Sequence, residues 1–408
     1  MKKFAALFLL LALFLGLTAC ERLVMDDYYL SSPHIEQPSQ QQEPQQEEVP
    51  PTVTNRTELR GAMLSFIRDW TEQGTILIRS YSGNVSEDLQ ETLNYVTRED
   101  PMGAYAVDYM DAEFDGTDQS GSISVNIVFR RSAAEMDAII TVNGNSAAFA
   151  KIQQALIAYD SSLTLRIRNY QPTDFEAYIQ KYCIEHPETI IALPVLSAEV
   201  YPSEGETRIL ELHFSYPIPR DEMRMMQASV STILSSATSY IRSGQTDLER
   251  AELLYRFLTT RFDYSLSETA PTMPAYSLLC EGIAHGLSFA SVFYSQCEAV
   301  DMDCVIVSGQ KDGQEHYWNL LRIGEEYYHV DLMRSITGGE GELSLLLSQQ
   351  LLDEGYVWDG SSYPETASPE PPPDAENSNQ EPNPSEESTQ EESTANIEES
   401  EPEETQLP

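Results

Sequence analysis

Two short runs could hold a catalytic base. Glu315-His316-Tyr317-Trp318-Asn319-Leu320-Leu321-Arg322-Ile323 and Tyr327-Tyr328-His329-Val330-Asp331 are rich in aromatic and aliphatic residues, with Gly324-Glu325 between them. That pattern predicts two antiparallel strands joined by a tight turn. Folding about Ile323-Gly324 places His316 nearly opposite Asp331. Opposed side chains share a face with Cβ atoms about 4.5–5.5 Å apart, so the carboxylate can hold one imidazole nitrogen and leave the other free. A histidine oriented by an acid is the base half of a nucleophilic triad.

The elements that must position this pair supply no nucleophile. Phe289, Phe293 and Cys297 recur every four residues, with Ala290 and Val292 beside them, so about 286–299 is expected to be a buried helix opened by Gly282 and Gly286. A cysteine at such a helix start, beside a histidine, would be acidified to a pKa of about 3.5–7.5. Gly286 has no side chain.

Several runs together resemble the bacterial transglutaminase-like superfamily: Ala275-Tyr276-Ser277-Leu278-Leu279, Glu281-Gly282, Gly286-Leu287-Ser288-Phe289-Ala290, Asp301-Met302-Asp303-Cys304 through Ser308-Gly309, His316-Tyr317-Trp318-Asn319 and Tyr327-Tyr328-His329-Val330-Asp331. The upstream stretch from Leu248 to Leu258, closing on Phe262-Asp263-Tyr264, is similar to that family's opening helix. The resemblance covers about residues 226–355. It implies a papain-like α+β topology, with His316 as the catalytic histidine, Asp331 as its partner and Gly286 where the nucleophilic cysteine belongs. Loss of that residue from a triad costs on the order of 10⁶ in turnover, so the domain is expected to be inactive. Trp318, Asn319 and Tyr328 are then the candidate ligand contacts, in a cleft that binds a peptide, protein or cell-wall fragment without cutting it; Trp318 and Tyr328 also suit a core. A second register makes Cys280-Glu281-Gly282 the nucleophile string, which gives a cysteine peptidase or amide-transfer enzyme using Cys280 with His316 and Asp331. A third reading is a structural scaffold. His285 and His329 have no Cys or carboxylate at ligand spacing, so neither metal nor cofactor is expected.

At the other end, Met1-Lys2-Lys3 precedes an apolar run from Phe4 to Leu15, and Leu17-Thr18-Ala19-Cys20 resembles the lipobox of bacterial lipoproteins. That implies a signal peptide over 1–19 and lipid attachment at Cys20, hence an extracytoplasmic protein anchored to the bacterial membrane, since two or more acyl chains anchor stably. Residues 20–54 are Gln-, Glu- and Pro-rich and read as a disordered tether; 359–408 read as a disordered acidic tail, with no Lys or Arg after Arg334. A formal net charge of −42 excludes a nucleic-acid partner on electrostatic grounds.

Between tether and C-terminal domain the sequence echoes itself. Leu59–Tyr81 lines up without gaps against Ala148–Tyr170, each an amphipathic helix and an alternating strand ending in Ile-Arg-x-Tyr. The fold class expected is therefore α+β: repeat modules over 55–141 and 142–225, then the transglutaminase-like domain over 226–358. Exported cysteines are permitted disulfides, and a bridge from Cys280 to Cys297 or to Cys304 is compatible with the sequence.

Overall fold

The computed structural model describes residues 49–339 and 341–368. The signal peptide expected over 1–19, the lipidation expected at Cys20, nearly all of the expected tether and most of the expected acidic tail lie outside the described residues. The fold is mixed α+β. It divides into two compact units: the described residues through Leu93 together with Met110–Ile127, and Asn94–Tyr109 together with the described residues from Val128 onward.

The first module runs β1 (Thr52–Val53), α1 (Arg56–Arg68), β2 (Gln73–Arg79), α2 (Val85–Asn94), a π-turn at Tyr95–Glu99, α3 (Pro101–Ala106), β3 (Val107–Thr117) and β4 (Ser120–Phe129). Asn55 starts α1 by accepting a hydrogen bond from the Glu58 amide, and Leu59, Ala62, Met63 and Ile67 form its buried stripe. The sheet order is β1-β2-β4-β3, with β1 parallel to β2 and β2 antiparallel to β4. The second module repeats this plan after a short α4 (Ala133–Asp137): β5 (Ile140–Asn143), α5 (Gly144–Ala158), β6 (Ser162–Arg168), α6 (Phe175–Glu185), β7 (Val195–Tyr201) and β8 (Thr207–Ser215). Its order, β5-β6-β8-β7, places the strands in the same succession. Each module thus has a short leading strand. In the first, that strand corrects the tether boundary: Thr52 and Val53 pair with Leu77 and Ile78, and the Pro51 carbonyl accepts from the Leu77 amide.

The third part follows as α7 (Arg220–Thr238), α8 (Asp247–Arg261), β9 (Ser265–Leu266), a helical turn at Pro274–Tyr276 that passes into a π-turn at Ser277–Glu281, β10 (Ile283–Ala284), α9 (Gly286–Glu298), β11 (Cys304–Lys311), β12 (Gln314–Ile323), β13 (Glu326–Val330), α10 (Leu332–Gly338), α11 (Ser348–Asp353) and β14 (Tyr356–Val357). A capping box, Thr246 with Glu249, fixes the start of α8. The antiparallel sheet has the order β13-β12-β11-β14.

The second module and the third part share one core. Val142, Leu156, Ile179 and Leu212 belong to the same buried cluster as Leu254, Phe289, Phe293, Leu321 and Leu332. Trp318, Leu320, Val307, Leu346, Leu351 and Tyr356 form a smaller core, built on the Trp318/Leu320 face of β12. The third part also runs past the boundary expected at 358. The Ala367 amide donates to the Tyr327 carbonyl, Thr366 bridges to Tyr327, and the Tyr363 hydroxyl accepts from the Ser308 amide. Aromatic anchors Tyr356, Trp358 and Tyr363 hold this stretch against the sheet although acidic residues surround them in sequence. Among the described residues no helix is long and apolar enough to cross a membrane.

Candidate functional site

The hairpin of β12 and β13 turns at Gly324-Glu325, with Ile323 paired to Glu326 and Asn319 to Val330. Gly324 takes φ +64°, a left-handed conformation suited to glycine. This register differs from the sequence expectation by one turn position. Continued past Val330, it carries Asp331 across from Trp318, so Asp331 meets His316 diagonally on a shared face. The contact is nevertheless close: His316 Nε2 lies 2.7 Å from Asp331 Oδ2.

Asp331 is 2% exposed and fully engaged. Its Oδ2 also accepts from the Tyr356 hydroxyl at 2.6 Å, and its Oδ1 accepts from the Arg334 amide at 3.0 Å as the cap of α10. Burial works to raise its pKa, but the bonds from His316, Tyr356 and the Arg334 amide outweigh it and hold the carboxyl below its usual range. The carboxylate therefore accepts a hydrogen bond from the Nε2–H of His316, and in the neutral ring Nδ1 carries the lone pair. Burial and the Asp331 charge push the Tyr356 hydroxyl far up, which keeps it a donor.

Nδ1 of His316 faces Gly286. A β-carbon placed on Gly286 would sit 2.9 Å from Nδ1, 3.0 Å from Cε1 and 3.1 Å from the Tyr317 carbonyl oxygen. Gly286 is buried at the first position of α9, and His285 caps that helix, its Nδ1 accepting from the Leu287 amide at 3.1 Å. The space that the missing side chain leaves at Gly286 is thus taken by the imidazole itself.

Aromatic packing closes the site. Trp318 lies nearly parallel to His316 at 6.0 Å, and Tyr356 meets both rings edge-on. Trp318 is 1% exposed and donates its indole N–H to His329 Nδ1 at 2.8 Å. Since Nδ1 of His329 accepts, its Nε2 must donate, and it does so to Ser348 Oγ at 3.0 Å; Ser348 continues to Thr366 Oγ1 at 2.7 Å. Burial lowers the His329 pKa to about 4. His329 therefore cannot accept a proton from Ser348 through Nε2, and this chain is a part-buried hydrogen-bond relay without a base.

The remaining candidates fall elsewhere. Asn319 is fully buried and donates to the Ala290 carbonyl at 3.0 Å, tying β12 to α9, so it is a positioning residue and not a ligand contact. Tyr328 opposes Leu321 on the other face of the strand from His316 and donates to Glu326. Cys280 lies in the π-turn that ends at Glu281 before Gly282, whose φ of +69° and close approach to the Asp263 carbonyl, 2.7 Å from a built β-carbon, require glycine. Its exposed thiol is held above the ordinary range by burial and by Glu281, the reverse of acidification, and no hydrogen bond links it to His316 among the described residues. Cys183, Cys280, Cys297 and Cys304 are all free, so neither expected bridge is formed. Among the described residues no group of three or more His, Cys, Asp or Glu could hold a metal.

Tyr356 was not legible as part of the site. The stretch Gly355-Tyr356-Val357-Trp358-Asp359-Gly360, two aromatics in alternation between glycines, was the available signal of one more strand.

Residues 235–332 match the transglutaminase-like superfamily. The chain carries a transglutaminase-like domain. A crystal structure of a TGase aligns at a TM-score of 0.24 and 8% identity, over 59% of this chain and 68% of that one. A protein of Cytophaga hutchinsonii described as a cysteine protease aligns at 0.23 and 11% identity, over 38% of this chain and 66% of its own, just under two thirds. No curated protein matches. The matched segment contains Gly286, His316 and Asp331, whereas Tyr356, Ser348 and Thr366 lie beyond it.

Proposed function

We propose that the transglutaminase-like domain performs no acyl transfer, and that the chain is an extracytoplasmic protein, lipid-anchored through Cys20, that recognises a peptide, protein or cell-wall fragment. The contact of His316 Nδ1 with Gly286 carries this reading. In a working thiol site that nitrogen takes the proton of the attacking sulfur, while the acid holds the other nitrogen. Here the acid-held base is complete and its free nitrogen abuts a residue with no atom to deprotonate. Cys280, the substitute, has a raised pKa and no bond to the base.

The closed packing of His316, Trp318 and Asp331 moves the expected ligand contact sideways. A cavity of about 460 Å³ is lined by Glu315 and Tyr317, which flank His316, and by Lys181, Ile184, Ser308 and Tyr363. A mixed aromatic, aliphatic and charged lining of this size suits a peptide-like segment. The lipobox-like Leu17-Thr18-Ala19-Cys20 supports the anchor.

Purified peptidoglycan and immobilised peptide libraries test the recognition half. Saturable binding that is lost in Tyr363→Ala, with the melting temperature checked in parallel, is expected. No binding to any member would leave the scaffold role in its place. Radiolabelled palmitate incorporated by wild type and absent from Cys20→Ala is the result expected of the anchor.

A further inference from the structure

A second cavity, of about 420 Å³, lies where the end of α6, the helix α7 and the end of α9 meet. Its wall includes Glu185, His186, Glu188, Ser295, Gln296 and Glu298. Its volume falls within the about 300–1,000 Å³ common for small-molecule pockets.

The charges there are incompletely matched. Glu188 binds His186 Nδ1 through one oxygen at 3.2 Å and accepts from Ser295 Oγ through the other at 3.0 Å. Glu185 has Lys181 at 3.7 Å. The Glu298 carboxylate has no ion pair or hydrogen bond among the described residues. Burial raises the Glu185 pKa, with Lys181 and His186 opposing and Glu298 adding to the rise. Three carboxylates thus face one imidazole and one neighbouring ammonium.

The second observation is independent of charge. Gln296 is 1% exposed, and neither its Oε1 nor its Nε2 has a hydrogen-bond partner among the described residues. Buried side-chain amides are nearly always satisfied, because an unpaired buried polar atom loses its water without compensation. An amide also offers both a donor and an acceptor. A ligand that satisfies Gln296 needs both as well, and one that suits three carboxylates needs positive charge.

We propose that this cavity binds a small organic cation, a primary ammonium compound carrying a neighbouring hydroxyl or carbonyl group. The ammonium sits among Glu185, Glu188 and Glu298, and the neighbouring oxygen accepts from the Gln296 amide. This site shares α9 with Gly286 and Glu185 with the cavity beside Tyr317, but neither His316 nor Asp331 lines it, so it stands or falls separately from the inert-site reading.

Calorimetry of the lipid-free mature protein at about 0.15 M salt decides it, with glucosamine, ethanolamine and L-lysinamide as probes and glucose as the uncharged control. At least one ammonium probe is expected to bind saturably, and glucose not. Glu188→Gln and Gln296→Leu should each weaken that binding about tenfold or more, the loss of one charge-assisted contact. Ser235→Trp, at an exposed position on the cavity rim, fills the space without touching the core and should abolish binding at an unchanged melting temperature. No saturable heat from any of the three probes overturns the proposal, as does equal binding of glucose or full binding by Ser235→Trp.

Discussion

Gly286 and His316 fit each other as a glycine and a ring, and that fit can be tested at a single atom. Alanine in place of glycine near a helix start ordinarily stabilises by about 0.4–1 kcal/mol. At Gly286 the added methyl meets the His316 ring at 2.9 Å and the Tyr317 carbonyl at 3.1 Å. Overpacking of this kind costs about 1–3 kcal/mol, so Gly286→Ala should lower the urea midpoint; a raised midpoint would refute the packing described. His329 supplies a second residue-scale test. An unfolded chain protonates this imidazole below about pH 6.5, whereas burial delays it in the fold to about 4. The folded value is depressed, so the unfolded state binds more protons in this window. Stability from His329 is complete above the unfolded value and is lost as pH falls toward 4, by about 3 kcal/mol at most. Asp331, also depressed, contributes its loss only below about 3.9. His329→Gln can keep the bonds to Trp318 and Ser348, and its unfolding free energy should fall less between pH 7 and 4.5 than that of wild type. Parallel pH curves would contradict a neutral His329.

Among the elements, the hairpin and the helix were readable because each carries a simple signal: aromatic and aliphatic runs broken at Gly324-Glu325 for β12 and β13, and the Phe289/Phe293/Cys297 repeat in α9. The pair His316 and Asp331 came with them. The exact register did not, because Gly324 can occupy either place of a two-residue turn, and only the paired strands fix which. Openness was also unreadable. A tryptophan next to a catalytic-type histidine reads equally as a ligand platform or as core, and burial of Trp318 follows from β14, a two-residue strand whose one trace in the sequence is the alternation of Tyr356 and Trp358. Gly309 marks where β14 arrives. A β-carbon there would lie 2.5 Å from the Val357 carbonyl and 2.7 Å from the Trp318 ring, so Gly309→Ala should cost about 1–3 kcal/mol and loosen β14. Tyr356→Phe removes one of the bonds to buried Asp331 and should cost about 1–3 kcal/mol by chemical denaturation. Wild-type stability in either variant would show that β14 does not close the site.

In the whole molecule, the second module supports the transglutaminase-like domain directly. Ile184 of α6 packs with Leu287, Ala290 and Tyr317 around the start of α9, Ser291 donates to the Ile184 carbonyl, and the Leu193 amide donates to the Thr272 carbonyl at 2.8 Å. A fragment of residues 226–368 alone would expose that apolar surface, and it should lack a cooperative melt and bind hydrophobic dye; a sharp two-state transition would show an independent domain. A strongly acidic chain, at −42, keeps such a molecule soluble without saying what it binds. The chemistry it lacks is the more direct question. Full-length mature protein incubated with glutamine-bearing peptides and an amine acceptor, then followed by ammonia release and by intact mass after acid quench, should give no turnover and no acyl adduct on Cys183, Cys280, Cys297 or Cys304. An adduct on Cys280 that disappears in His316→Ala would contradict an inert site.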